Sequence, residues 1–315
     1  MSGIGLVVGI IILVAYYAIK RNKSEISKNK SMFEIDPQID YTSDSIPPSD
    51  IEIIEAPTLK PEEWGLFLNL PYSCFNEHAY NDYNQGPYDG GLSQAWGVSN
   101  RYDLINQLYW LITSGHTNDY YLLRDRVLYA NEAERYSIIQ EIKDSDDSEQ
   151  NKEEQLWRVE MISKNINDIC NTKFIAWDFA RFSKLCLDGC RAGYITKQEA
   201  QDWSLMSASM VKRIYTGWGD FWDNFLKTRW FWASCDSNWA DSQENFADKI
   251  EEILADHRFP ISQETWDMSL PELNLESFTR AVAGLGFTDE DGMPIPLPQL
   301  ETFIAHRLVP KQLDS

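Results

Sequence analysis

Basic residues are scarce in this chain of 315 residues: 28 lysines and arginines stand against 49 aspartates and glutamates, which gives a net charge of −21 at pH 7. Residues 60–315 carry 23 basic and 41 acidic side chains. A protein that binds nucleic acid needs a positive surface to neutralise phosphates, so this charge argues against a nucleic-acid partner. The acidic excess indicates either solubility alone or the attraction of a basic partner.

The sequence also lacks a disulfide framework. Its five cysteines form an odd number, and only Cys186 and Cys190 lie close together. These two share one face of a predicted helix, but neither a CxxC nor an HxxxH pair completes a metal site. We therefore predict buried, reduced thiols, as expected in the cytoplasm, and no bound metal.

Common catalytic motifs are missing as well. The chain contains no GxxxxGK[ST] phosphate loop, no GxGxxG after a strand, no GxSxG elbow and no HExxH helix. The acidic run at Asp289 resembles the start of a calcium loop, but Leu300 stands where the closing glutamate belongs. These absences favour a non-enzymatic role and predict no cofactor.

The amino terminus has the opposite character to the acidic body. Gly3–Ile19 contains no charge, and Lys20, Arg21 and Lys23 follow it. A helix of this length rises roughly 25 Å, near the minimum for crossing a bilayer. Basic residues after the apolar run, rather than before it, argue against a cleaved signal peptide. We predict a single-pass anchor at residues 1–19 in the inner membrane, with the rest of the chain facing the cytoplasm.

The region after the anchor is predicted to be a disordered linker, residues 20–63, basic at first and then acidic and rich in proline and serine. Its basic residues within 20–30 favour contact with anionic lipid. Gly5 and Gly9 form one small-xxx-small pair, which is compatible with a homodimer of anchors. The acidic body follows as residues 64–315.

Helical periodicity dominates the body, and strand patterns are sparse, so the predicted fold class is all-α. One helix is predicted over 99–114, with Asn100 at its entry and Gly115 as its C-cap. Others are predicted over 174–190, from a capping box at Thr196 to about 215, and over 220–233. The acidic stretch 139–155 is predicted to be a solvated loop or a helix extension.

Five short motifs follow one another in the body: AWGV (95–98), SGH (114–116), AWDFAR (176–181), AGYI (192–195) and GWGDF (217–221). In this order they resemble a bacterial family known as domain of unknown function 1266, over residues 95–232. The family pattern also has a Gly-Arg pair before a terminal aromatic-Trp, where this chain has Thr228 and Arg229 before Phe231 and Trp232. The resemblance implies a helical fold and brings no known reaction or ligand.

Three residues near these motifs are candidates for catalysis. Asp178 and Arg181 are three positions apart on a predicted helix, so their side chains can meet. They form either an ion pair that orients the helix or a carboxylate base with an anion-holding group. His116 follows Gly115, where a ring nitrogen is available for acid–base work unless the histidine is structural.

A loop rich in aromatic and turn residues provides a second candidate site, with His78, Asp82 and Asp89. His78, His116 and Asp178 can converge on a metal in principle, but no ligand spacing supports it.

Tryptophan is abundant, with twelve in the chain. Trp222 shares a helical face with Phe225 and Leu226, which indicates a buried ridge. Trp230 and Trp232 point in different directions on a helix, so they cannot both enter one core. The candidate interface residues are Trp218, Trp222, Trp230 and Trp232, with core packing as the alternative.

The combined expectation is a membrane-tethered cytoplasmic domain that binds another protein. One form of this hypothesis is an inhibitory or immunity-like role against a basic partner. Two alternatives stay open: an enzyme that uses His116, Asp178 and Arg181, and a domain that binds a small ligand or lipid.

Overall fold

The computed structural model describes residues 58–75, 79–84, 91–233, 247–248, 250–256 and 259–286. This part of the chain is helical and contains no strand, which confirms the predicted all-α class. The helices are α1 (Trp64–Phe67), α2 (Leu70–Phe75), α3 (Leu92–Trp96), α4 (Arg101–Thr113), α5 (Gly115–Leu128), α6 (Glu132–Asp144), α7 (Glu149–Ser163), α8 (Ile175–Arg191), α9 (Lys197–Ile214), α10 (Trp218–Ala233), α11 (Gln263–Asp267) and α12 (Glu276–Ala283). Short 3-10 helices cover Pro61–Glu63 and Ile166–Asn171, and residues 250–255 are helical.

Local capping chemistry accounts for the helix starts that the sequence predicts. The side chain of Asn100 accepts a hydrogen bond from the Asp103 backbone N–H at 3.0 Å and begins α4. Thr196 and Glu199 form the predicted capping box of α9, with reciprocal bonds of 3.1 and 2.8 Å. Each cap satisfies backbone donors that the first helical turn leaves unpaired.

One local prediction is corrected. Gly115 is not the C-cap of α4, because α4 ends at Thr113 and Gly115 is the first residue of α5, with φ of 52°. Of the two alternatives predicted for the acidic stretch 139–155, the structure shows the helical one: the end of α6, a short turn and the start of α7. Ser148 begins α7 by accepting a hydrogen bond from the Asn151 N–H at 3.3 Å, a second start signal inside the acidic run.

Helix α8 is the centre of the molecule. Every residue of α8 except Lys184 and Arg191 is buried, because the helix packs against α4, α5, α9 and α10. The larger apolar cluster surrounds α1, α4, α8, α9 and α10, and it includes the predicted ridge at Trp222 and Phe225. A smaller cluster joins α5, α6 and α7 to Phe174 and Phe231. Trp232 packs against both clusters, so it lies where the two cores meet.

Glycines allow two of these helices to approach their neighbours closely. A Cβ on Gly65 of α1 would overlap the backbone carbonyl of Ser204 in α9, and a Cβ on Gly189 of α8 would overlap the side chain of Leu104 in α4. Hydroxyl groups fill the adjacent contact, where Ser183 and Ser207 hydrogen-bond at 3.1 Å between α8 and α9. Small residues therefore set the spacing of the central helices.

No helix among the described residues is long and apolar enough to cross a membrane. The predicted anchor at residues 1–19, with Gly5 and Gly9, and most of the predicted linker lie outside the described residues. The same holds for His78 and Asp89 of the predicted loop site.

Candidate functional site

Asp178 joins two of the sequence motifs. Its carboxylate is fully buried and accepts hydrogen bonds from the backbone N–H groups of His116 at 3.1 Å and Thr117 at 2.9 Å. The hydroxyl of Thr117 donates to the same carboxylate at 2.5 Å. The charge therefore sits on the first turn of α5, where the unpaired N–H groups and the helix dipole favour an anion.

Arg181 forms the ion pair that the sequence predicts with Asp178, one turn further along α8. Both side chains are almost fully removed from solvent, with 4% and 1% exposure. Burial lowers the pKa of Arg181, and the neighbouring charge of Asp178 opposes that shift. A buried pair of this kind is sensitive to the loss of either partner, since the remaining charge is then stranded without water.

The same contact explains why residue 115 is a glycine. Its backbone is left-handed, with φ of 52°, and a Cβ there would overlap the carboxylate of Asp178. Glycine meets both demands, because it adopts positive φ without strain and leaves room for the carboxylate. The SGH and AWDFAR motifs are thus the two halves of one packing arrangement.

His116 belongs to a series of ring contacts that we call the cation–aromatic array, formed by Arg181, Trp177, His116, Trp232 and Arg158. The imidazole stacks on Trp177 with centroids 5.2 Å apart and an interplanar angle of 18°, and it lies 4.7 Å from Trp232. The guanidinium carbon of Arg181 is 3.6 Å from the Trp177 ring, and that of Arg158 is 4.2 Å from the Trp232 ring. Charge and π-system attract at both ends of the array.

Tyr72 and Arg229 extend the site, and sequence reasoning did not select either one. The hydroxyl of Tyr72 accepts a hydrogen bond from the indole N–H of Trp177 at 2.9 Å. Burial raises the pKa of Tyr72, whereas the charges of Arg181 and Arg229 act in the opposite direction. Burial lowers the pKa of Arg229 to about 10, with Tyr72 partly compensating. The signal in the sequence was the arginine that the family pattern keeps before its terminal aromatic residues.

Comparison with known protein families identifies the family of this chain. Residues 91–266 match the family model described as "Protein of unknown function (DUF1266)". The chain belongs to the DUF1266 family. No curated protein and no solved structure matches it.

Three of the five DUF1266 motifs meet in space. Trp96 of AWGV lies 5.7 Å from the guanidinium carbon of Arg181, beside the contact between SGH and AWDFAR. The departure from the family pattern at Thr228 is accommodated inside α10. Its buried hydroxyl donates to the carbonyls of Asn224 and Phe225, both at 2.9 Å, so the extra polar group is satisfied within the helix.

The remaining two DUF1266 motifs make other contacts. In AGYI, the carbonyl of Tyr194 accepts a hydrogen bond at 3.0 Å from Arg101, which also pairs with Glu199. In GWGDF, Asp220 accepts from Lys173 at 2.9 Å. Burial acts to raise the pKa of Asp220, but its bonds with Lys173 and the Thr216 N–H lower it overall. Both motifs therefore connect helices through charge-assisted hydrogen bonds.

The predicted loop site is represented by Asp82 alone in the described part of the chain. Asp82 accepts a hydrogen bond from Arg191, at the end of α8, at 2.6 Å. The backbone N–H of Asn84 and the nearby Arg191 lower the pKa of Asp82. This geometry ties the loop to the central helix. Within the described residues, no three histidine, cysteine, aspartate or glutamate side chains are grouped closely enough to hold a metal.

The four candidate interface tryptophans divide into two pairs. Trp218 and Trp222 are only 4% and 1% exposed in the larger core, which corrects their assignment to an interface. Trp218 stacks on Trp64 with ring centroids 4.7 Å apart. Trp230 and Trp232 are half-buried and diverge as predicted, the first toward Trp157 and the second toward His116. The interface prediction therefore applies to Trp230 and Trp232 only.

Replacement of His116 separates a structural from a catalytic role. We expect His116→Ala to lower the free energy of unfolding by about 1–3 kcal/mol, because it removes the ring between two indoles. His116→Phe keeps an aromatic ring and should stay within about 1 kcal/mol of the native protein. Chemical denaturation of both variants measures the difference. A stable His116→Ala protein that has lost its biological activity would instead favour the enzyme hypothesis.

Proposed function

We propose that this DUF1266 protein is a protein-interaction domain, tethered to the inner membrane by residues 1–19 and directed toward a basic partner in the cytoplasm. An inhibitory or immunity-like action against that partner is one form of this role. The proposal rests on the burial and the hydrogen bonds of Asp178, the carboxylate in the AWDFAR motif. It is fully buried and accepts hydrogen bonds from His116, Thr117 and Arg181 of its own chain.

A carboxylate in this state is poorly suited to catalysis. A general base must reach the proton of a substrate, and the candidate pair of Asp178 and Arg181 is occupied in holding α5 against α8. The half-buried His116 is engaged by the rings of Trp177, Trp232 and Trp110. The motif residues thus support the fold, which favours binding over reaction.

The charge of the body supports a basic partner. Residues 60–315 hold 41 acidic against 23 basic side chains, a field that attracts positively charged proteins and repels nucleic acid. Membrane tethering adds a second effect. A linker of the predicted length keeps the body within roughly 40 Å of the bilayer, which raises its concentration around partners at the membrane.

Affinity purification of the full-length protein from native membranes, in low and in high salt, tests the proposal. We expect a stoichiometric protein partner at low salt that dissociates at high salt, since exposed charges are screened within about 8 Å at physiological ionic strength. Recovery of the chain alone in both conditions would contradict the proposal.

One groove favours a second candidate function, the binding of a small ligand or lipid. It has a volume of about 560 Å³ and is lined by residues of α4, α9 and α12 and of the turn after α12, among them Tyr102, Ile105, Ser277, Arg280 and Leu285. Ligand pockets commonly measure roughly 300–1,000 Å³ and combine apolar walls with a few polar groups. Its apolar walls suit a small apolar ligand or a lipid tail, because its charged groups are already paired, Arg101 with Glu199 and Arg280 with Glu276. A preparation without a protein partner would therefore be screened with such ligands by thermal shift.

A further inference from the structure

We propose that the outer face of α5, formed by Leu122, Asp125, Arg126 and Tyr129, is the surface that binds the partner, and that it recognises an arginine-rich segment. This inference rests on the proposed function and adds to it the place of contact and the chemistry of the contacting residues.

Exposed apolar side chains concentrate in the segment that contains this face. Six large hydrophobic side chains are more than one third exposed in the described part of the chain, and four of them lie between positions 122 and 136. Leu122 is 60% exposed, Leu128 42%, Tyr129 72% and Tyr136 65%. Single exposed apolar residues are ordinary, but a local concentration of them is typical of a contact surface.

The geometry of α5 places two of these side chains together. Leu122 and Tyr129 are seven positions apart, two helical turns, so they lie on one face with Asp125 and Arg126 between them. The opposite side of the helix is fixed in the smaller core through Tyr120 and Val127, which are fully buried. The outer face is therefore held rigidly in place.

The charges beside this face are mostly negative. Residues 119–154 contain eleven acidic and five basic side chains. Three of the five basic side chains form ion pairs within the chain: Arg124 with Asp125 at 2.7 Å, Arg126 with Glu141 of α6, and Lys152 with Glu149 at 3.0 Å. Because the acidic side chains outnumber the basic ones by six, this region keeps a negative charge that attracts a cationic segment.

An arginine-rich segment matches both features of this surface. A guanidinium group stacks on the face of tyrosine and also pairs with carboxylates through two parallel hydrogen bonds. Lysine offers a compact ammonium group that is more strongly hydrated and stacks less well. The surface should therefore distinguish arginine from lysine at equal charge.

The test uses the full-length chain in lipid nanodiscs and two fluorescent peptides of equal length, one of arginine and one of lysine. We expect the arginine peptide to bind more tightly, and Leu122→Ser combined with Tyr129→Ser to weaken it about tenfold. Ile166→Ser is the matched control, because Ile166 is 38% exposed in the 3-10 helix Ile166–Asn171, outside α5, and its replacement should leave binding unchanged. All substituted positions are exposed, so the melting temperatures should stay close to that of the native protein.

Equal binding of the arginine peptide to the double variant and to the native chain would overturn the assignment of this surface. Equal binding of the two peptides would overturn the arginine preference. The same variants in the membrane purification separate this inference from the proposed function. A salt-sensitive partner that the double variant retains would refute the surface and leave the proposed function standing, whereas absence of any partner with the native chain would refute the proposed function itself.

Discussion

Asp178→Asn should lower the free energy of unfolding by about 3–5 kcal/mol, because it leaves a buried arginine without its charged partner. The substitution keeps the shape of the side chain but removes its charge. Arg181 then remains buried beside a neutral amide. The amide also offers one acceptor oxygen in place of two, although His116 and Thr117 donate to both carboxylate oxygens in the native protein. Urea denaturation followed by circular dichroism measures the loss.

Asp223→Asn is the matched control for this prediction. Asp223 also pairs with a basic residue within one turn of its own helix, Lys227 of α10. The Asp223 side chain is 58% exposed, so water reaches both charged groups when the pair is broken. We expect a loss of about 1 kcal/mol or less. If Asp178→Asn were as stable as the control and yet inactive in the cell, the carboxylate would have a functional role and the enzyme hypothesis would gain support.

Gly65→Ala should destabilise the protein by about 3 kcal/mol or more, at or above the upper end of the usual cost of adding one methyl group to a packed core. The new Cβ would overlap the backbone carbonyl of Ser204, and a backbone group cannot rotate away as a flexible side chain can. Helices α1 and α9 would have to separate, and Trp64 would move with α1. The indole N–H of Trp64 donates to the Thr265 carbonyl at 2.8 Å, so that bond would be strained too.

Gly219→Ala provides the control in the same fold. Gly219 lies within α10, and a Cβ there has no neighbour within 4 Å. Alanine also has the higher helix propensity, so stability should stay constant or rise by up to about 1 kcal/mol. Thermal unfolding of the two glycine variants in parallel isolates the effect of the close approach. Equal melting temperatures would show that α1 does not rest on α9 as described.

Features that depend on neighbouring residues were predictable. Asn100 begins a helix because its side chain accepts a bond from a residue three positions away, and the Thr196–Glu199 box works over the same distance. The ion pair of Asp178 and Arg181 was predictable from helical spacing for the same reason. The family resemblance over 95–232 is likewise confirmed, as a match over 91–266.

Features that depend on contacts between residues far apart in the sequence could not be predicted from it. Gly115 follows an apolar helical pattern, so local rules make it a C-cap, whereas its real environment is the carboxylate of Asp178. Trp218 belongs to the core because Trp64 and Trp266 pack against it, and neither contact leaves a trace in the sequence around it. Tyr72 escaped selection because its partner Trp177 lies 105 positions away.

The sequence by itself determined the helical class, the helix caps, the acidic charge and the family, because each of these arises from composition or from contacts within a few residues. Only the tertiary structure decided that the AWDFAR carboxylate supports a neighbouring helix, that two tryptophans are core residues and two are half-buried, and that exposed apolar side chains concentrate between positions 122 and 136. The physical reason is burial. Whether a side chain meets water or another helix depends on which segments pack together, and that choice is made by the summed contacts of the whole chain.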